Sequence, residues 1–141
     1  MEDHLKHFSE IKVSDIMIKN PLFTTPYEKI SKTELIMVRK NIGGLPVVDD
    51  SKNKLVIGII TQRDIRLARF AMNFETSKTI VKDLMTPEPI VVKENNTIKF
   101  VLETMFDKKI QRLPVVDEEN KLIGLVLQID ILRKLLDYMK R

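Results

Sequence analysis

The 141-residue chain has no cysteine, no tryptophan and only four glycines. Without cysteine there are no disulfides, no thiolate metal ligands and no thiol nucleophile, and a reducing cytoplasm fits the composition. Only Gly43 and Gly44 are adjacent, so no glycine-rich phosphate loop is present. No apolar run approaches the roughly 18 residues of a membrane-crossing helix, and no secretory pattern is visible at the start. Aromatic residues make up 6% and do not interleave with the basic ones, so a stacking platform for single strands is missing. No Ser/His/Asp set appears either, and the expectation is a protein that is not an enzyme.

What is present is a duplication. Residues 45–64 read LPVVDDSKNKLVIGIITQRD, and residues 113–130 read LPVVDEENKLIGLVLQID. Pro46 and Pro114 lie 68 apart, Asp64 and Asp130 lie 66 apart, so the first copy has two extra turn residues. Upstream, Val13/Val81, Asp15/Asp83, Met17/Met85, Pro21/Pro89 and Ile30/Ile98 also match, and 13 of 37 positions are identical between 13–49 and 81–117. A repeat of this length is near the lower limit for an independent core, so two halves sharing one core are expected. Repeat 1 is set at 11–74 and repeat 2 at 79–141, joined by FETSK at 74–78. Residues 1–10 form a polar lead in which Leu5 and Phe8 suit a short docking helix. His4 and His7 lie one turn apart without a third ligand, which favours two solvated side chains over a metal pair.

Each repeat predicts strand, helix, strand, strand, helix. Leu22 to Thr24 and Ile90 to Val92 read as first strands after proline. Val101, Leu102, Met105 and Phe106 form a helical stripe; Ser31, and Asn96 or Thr97, offer N-caps. Val47-Val48 and Val115-Val116 begin antiparallel hairpins whose second strands hold Gly58 and Gly124. Asp15 and Asp83 are better read as turn-forming residues than as catalytic carboxylates. Ile131, Leu132, Leu135, Leu136 and Met139 make a terminal stripe, with Lys140 and Arg141 at its end. The predicted fold is α+β: two βαββα repeats packed about a pseudo-twofold axis, with two inter-repeat clefts.

These residues carry a resemblance. DIM…P…LPVVD…GIITQRDI and DLMTPEPIVV…IQRLPVVD…LIGLVLQIDIL resemble the tandem cystathionine-β-synthase (CBS) domain pair, or Bateman module, over about residues 11–138. The TQRDI stretch is especially similar to that of the regulatory domain of inosine monophosphate dehydrogenases. The resemblance implies a regulatory module that binds an adenosine compound (AMP, ADP, ATP or S-adenosylmethionine) between the repeats and passes a change to a partner protein. No cofactor beyond that regulatory ligand is implied. The site it implies comprises Thr61, Arg63 and Asp64 with Thr86, Ile90, Val91, Ile110, Gln111 and Arg112. In it Asp64 takes the ribose hydroxyls, Thr61 assists, and Arg112 offers a guanidinium to phosphate. An aspartate at a helix start also reads as an N-cap, and one residue can serve both ends. The second cleft implied comprises Asp130 with Ile18, Leu22, Phe23, Ile42, Gly43 and Gly44. Leu127 stands there in place of Thr61, and no cation or second hydroxyl is present, so this cleft is expected to be weaker.

The net charge is +4. A nucleic-acid binder using Arg63, Arg66, Arg69, Lys108, Lys109 and Arg112 is the alternative, but a solvated basic face explains these residues better. The terminal stripe, with Ile65, Ala68, Ala71 and Met72 as its first-repeat counterpart, predicts a homodimer.

Overall fold

The computed structural model describes residues 2–72, 75 and 77–140. Phe74 and Thr76 of the FETSK linker, and Arg141 of the terminal stripe, lie outside the described residues. In order come α1 (Glu2–Ser9), a 3-10 turn (Val13–Asp15), β1 (Ile18–Lys19), α2 (Ile30–Lys40), β2 (Gly44–Val48), β3 (Val56–Thr61) and α3 (Gln62–Ala71). Then follow α4 (Val81–Leu84), β4 (Thr86–Pro87), α5 (Ile98–Lys108), β5 (Arg112–Val116), β6 (Leu122–Leu127) and α6 (Gln128–Met139). The result is α+β, with two repeats of strands and helices that together build two three-stranded sheets.

The chain divides into two compact units that do not coincide with the sequence repeats. One comprises residues 22–89, the other residues 1–21 with 90–141. In unit 22–89 the sheet order is β2-β3-β4; in the other unit it is β1-β6-β5. The third strand of each sheet thus comes from the opposite repeat: β4 pairs with β3 at Ile59–Thr86, and β1 pairs with β6 at Ile18–Leu125. The runs expected to be first strands shrink to single parallel bridges, Thr24 to Val47 and Val92 to Val115. Each bridge residue spends both its backbone groups there: Thr24 donates to Pro46 and accepts from Val48, as Val92 does with Pro114 and Val116. The hairpins are as expected. Val47, Val48, Val115 and Val116 are buried, and the alternation in β3 sends Ile60 inward.

Glycine decides how the third strand fits. A Cβ on Gly58 would lie 2.7 Å from Met85 Sδ and 3.0 Å from the Thr86 carbonyl oxygen. On Gly124 it would lie 2.5 Å from Met17 Sδ and 3.1 Å from the Ile18 carbonyl oxygen. The methionine before each short strand therefore fills the space that its partner glycine leaves. Asp83 accepts the Ile80 N–H at 3.2 Å, the turn role expected for it; no such bond reaches the Asp15 carboxylate among the described residues.

The caps differ in part from expectation. Thr97 caps α5 by accepting the Phe100 N–H at 3.2 Å, while Asn96 accepts from Lys93 at 2.7 Å. Ser31 does not cap α2: the helix starts one residue earlier, with Lys29 at the cap and no side-chain bond. In the second hairpin turn, Asp117 accepts the Lys121 N–H at 3.0 Å and the Glu119 N–H at 2.8 Å. The Lys121 bond chiefly, with that of Glu119, holds its carboxyl below the usual carboxylate range. The lead segment forms α1, whose Phe8 is buried edge-on against Tyr138 at 5.5 Å, and whose His7 ring lies 6.2 Å from the same tyrosine. Leu5 stays half exposed.

Glycine inside a strand normally costs about 0.5–1 kcal/mol relative to alanine. Here the sign should reverse. Gly124→Ala is expected to destabilise the protein by about 1–3 kcal/mol, the cost of overpacking against Met17 and Ile18. Met17→Ala added to it should restore part of that loss. Urea denaturation measures both; an alanine variant as stable as the parent or more so would show that Met17 does not depend on the glycine.

Candidate functional site

The site begins where β3 turns into α3. Thr61 is the N-cap, and its hydroxyl accepts the Asp64 N–H at 3.1 Å. Asp64 stands three residues on, and its Oδ2 accepts the Thr61 N–H at 2.9 Å. This is a reciprocal capping box. The sequence reading of Asp64 as N-cap is corrected accordingly: the cap is Thr61, and Asp64 closes the box from the first turn. The box uses one carboxylate oxygen. No described residue donates a hydrogen bond to the other, and the positive end of α3 favours its charge.

The sheet adds a second hydroxyl. Thr86 pairs with Ile59, and paired antiparallel residues share a face. Ile59 and Thr61 lie two apart on one strand, so Thr61, Ile59 and Thr86 look out from the face opposite Ile60. Thr86 is exposed, while Thr61 and Asp64 are half buried. Beside this corner, the Gly43 carbonyl accepts the Gln62 N–H at 2.9 Å and the Ile42 carbonyl accepts from Gln62 Nε2 at 3.2 Å. Gly44 lies opposite Thr61. Arg63 is exposed on the first turn of α3. Leu22 is exposed, and Phe23, half buried, receives the Lys54 ammonium at 5.4 Å from its ring. Unit 22–89 thus holds Thr61, Arg63, Asp64 and Thr86 together, along with Leu22, Phe23, Ile42, Gly43 and Gly44.

The remaining residues belong to the other unit: Ile18, Ile90, Val91, Ile110, Gln111, Arg112 and Asp130. Ile90 and Gln111 are exposed, Val91 and Arg112 half buried, and Ile110 packs against the core. The same corner is built there from different side chains. The Gln111 carbonyl accepts the Gln128 N–H at 2.9 Å, and Arg112 lies opposite Leu127. Leu127 is the N-cap of α6 and makes no side-chain bond. Ile18, Leu125 and Leu127 occupy the face that Thr86, Ile59 and Thr61 occupy in unit 22–89. Asp130 is half buried and meets Arg133, Oδ1 to Nη1, at 3.2 Å. The i,i+3 spacing in the sequence permits that ion pair, which the residue-by-residue reading of Asp130 missed. One unit therefore offers two hydroxyls and a carboxylate with one oxygen held in a capping box and the other unclaimed. The other offers an apolar triplet and a carboxylate whose Oδ1 faces Arg133, its second oxygen unclaimed as well.

Among the described residues no cluster of three or more His, Cys, Asp or Glu side chains could hold a metal, and no helix is long and apolar enough to cross a membrane.

The CBS domain family model matches residues 13–70 and again 81–137. The chain is 36% identical over 135 residues to the inosine-5'-monophosphate dehydrogenase of Methanocaldococcus jannaschii, covering 95% of this chain and 26% of that protein. It is 33% identical over 134 residues to that of Bacillus subtilis, with 93% and 26% covered. The chain thus spans about a quarter of the length of these relatives. Among solved structures it is similar to CBSX2 in complex with AMP, with a TM-score of 0.78, 29% identity, and 92% of this chain and 98% of that one covered. It is similar also to the CBS domain pair of MJ0100 in complex with 5'-methylthioadenosine and S-adenosyl-L-methionine, with a TM-score of 0.78, 32% identity, and 93% and 98% covered.

Thr61→Ala removes half of the capping box and is expected to cost about 0.5–2 kcal/mol of stability. Leu127→Thr supplies α6 with the hydroxyl it lacks and should stabilise by a similar amount. Thermal melts followed by circular dichroism would show opposite shifts; unchanged melting of Thr61→Ala would mean that the box contributes nothing.

Proposed function

Because the chain belongs to the CBS-domain family and carries two such domains in tandem, we propose that it is a regulatory module that senses an adenosine nucleotide or derivative. The observation that carries this reading is the asymmetry of the two strand–helix corners. A ribose presents two adjacent hydroxyls. The unclaimed oxygen of Asp64 suits them as a charge-assisted acceptor, and Thr61 and Thr86 add hydroxyls on one sheet face of the same unit. The start of α3 and the exposed Arg63 favour phosphate nearby. The corner at Leu127 also has a helix start, an arginine (Arg112, opposite Leu127) and an aspartate, but it lacks both hydroxyls and the capping box, and its aspartate meets Arg133. That solved CBS pairs hold AMP, or 5'-methylthioadenosine and S-adenosylmethionine, supports the same ligand class. The reading contains no catalytic step. It includes a partner protein that receives the signal, and a cytoplasmic setting. Nothing in the geometry favours nucleic acid: Arg69 is engaged by Glu34 in two hydrogen bonds of 2.9 and 2.7 Å.

Calorimetry against AMP, ADP, ATP, S-adenosylmethionine and NAD tests the reading. Asp64→Asn keeps an oxygen for the Thr61 N–H and loses the charge. It is expected to weaken nucleotide binding by about 1.5–3 kcal/mol, on the order of tenfold or more. Asp130→Asn should leave affinity unchanged. Equal losses from the two variants would mean that the corners are equivalent and that the asymmetry does not select the ligand.

A homodimer forms part of the same proposal, with one change in the surface. Ile65 and Ile131 are core residues, so they cannot line an interface. On α6 the exposed apolar residues are Ile129, Leu132, Leu136 and Met139, spaced 3, 4 and 3 apart as in a helix–helix seam. At the matching positions α3 carries Arg63, Arg66 and Phe70. The α6 stripe is therefore the dimer surface. Leu132→Glu with Leu136→Glu should give a monomer by light scattering at micromolar concentration; a parent protein already monomeric there would refute the dimer.

A further inference from the structure

At the duplicated positions 24, 33 and 61 unit 22–89 carries the more polar residue, while Ile36 against Thr104 and Ala68 against Lys134 run the other way. In unit 22–89 the hydroxyls of Thr24 and Thr33 lie buried 3.1 Å apart, one donating to the other. The matching residues of the other unit are Val92 and Val101, both buried. A buried hydroxyl pair recovers through its bond about what it gives up on leaving water, whereas two valines gain outright from burial. Between α2 and α3 stands the Glu34–Arg69 pair, bidentate but solvent-screened, where apolar side chains would gain from burial. Between α5 and α6 the matching residues are Leu102 and Leu135, packed on a core cluster that α1 extends with Phe8. Among the described residues that cluster has ten buried and eight half-buried apolar residues, against seven and five in the cluster of unit 22–89. The capping box of α3 acts the other way, but it secures only one helical turn.

We infer that unit 22–89 is the locally labile half of this fold, opening while the other unit stays folded, and that the ligand regulates the protein by closing it. Loss of local opening is then the signal passed on, since a ligand that binds only the closed form stabilises it by mass action. The first half of this inference stands on the packing alone; the second rests on the adenosine reading of Thr61, Asp64 and Thr86.

Hydrogen exchange of the intact chain, read by mass spectrometry, tests both. Without nucleotide, peptides over β2 and β3 are expected to exchange roughly tenfold faster than those over β5 and β6. Thr24→Val with Thr33→Val should narrow that gap, and Glu34→Leu with Arg69→Leu should narrow it independently. Saturating AMP should slow β2 and β3 more than β5 and β6. Equal exchange of the matched strands without nucleotide would overturn the labile half, and a gap unmoved by both double variants would overturn its cause. AMP that binds by calorimetry yet slows both units equally would overturn the regulatory half. If AMP and the other adenosine compounds do not bind, the adenosine reading falls and takes the regulatory half with it, while the nucleotide-free comparison still decides the first.

Discussion

The contact on which the other features depend is a methionine sulfur over a strand glycine. Gly58 and Gly124 sit in the second strand of their hairpins, where a side chain would strike Met85 or Met17 and then the carbonyl behind it. A two-stranded hairpin is marginal by itself and leaves an edge open. The glycine admits the methionine, the methionine brings in two residues of extended chain, and the edge is covered. Since Met85 belongs to one repeat and Gly58 to the other, neither repeat completes its sheet alone. The unit that packs together is therefore offset from the unit that was duplicated.

The same exchange sets the chemistry. Thr86 reaches the face of Ile59 and Thr61 only because β4 pairs with β3, and Ile18 reaches Leu125 and Leu127 only because β1 pairs with β6. Each corner is thus built from both repeats. A substitution such as Thr to Leu at the helix cap changes one corner without touching the other, so a single ancestral corner can diverge into a hydrogen-bonding one and an apolar one. The cap is the most sensitive place for this. Thr61 holds the first turn of α3 and positions Asp64 through two bonds, so local order and the ligand contact proposed there depend on the same residue.

Much of this was legible in the sequence because duplication doubles every signal. The hairpins, the buried valines after each proline and the helices with Met37 and Met105 could be read from periodicity and from the repeat itself. The exchanged strands could not. Ile18–Lys19 and Thr86–Pro87 are two residues long, too short for alternation to show, and their pairing partners lie far along the chain. The reduction of the expected first strands to single bridges was hidden for the same reason: β-propensity marks where a strand fits, not how many backbone partners are in reach. The resemblance marks Thr61 as a ligand contact, yet its reciprocal bonds with Asp64 follow only once the helix start is fixed within one residue, which patterns do not give.

Backbone geometry shows that the divergence lies in side chains. Left-handed residues recur at matched places: Asn20 with Glu88, Asn41 with Lys109, Lys54 with Asn120. Such conformations are costly for residues other than glycine and asparagine, so their recurrence means that both units hold the same path even where the sequence fits it poorly. With the path held in common, the differences in polarity between the units cannot be by-products of a changed fold. Thr24 and Thr33 against Val92 and Val101, Glu34 and Arg69 against Leu102 and Leu135, and Thr61 against Leu127 are choices made on one scaffold. All three place the polar alternative in the unit that also holds the capping-box carboxylate of Asp64. Polarity in the core lowers local stability, polarity at the corner offers hydrogen bonds, and a unit with both is suited to being closed by the ligand proposed for it.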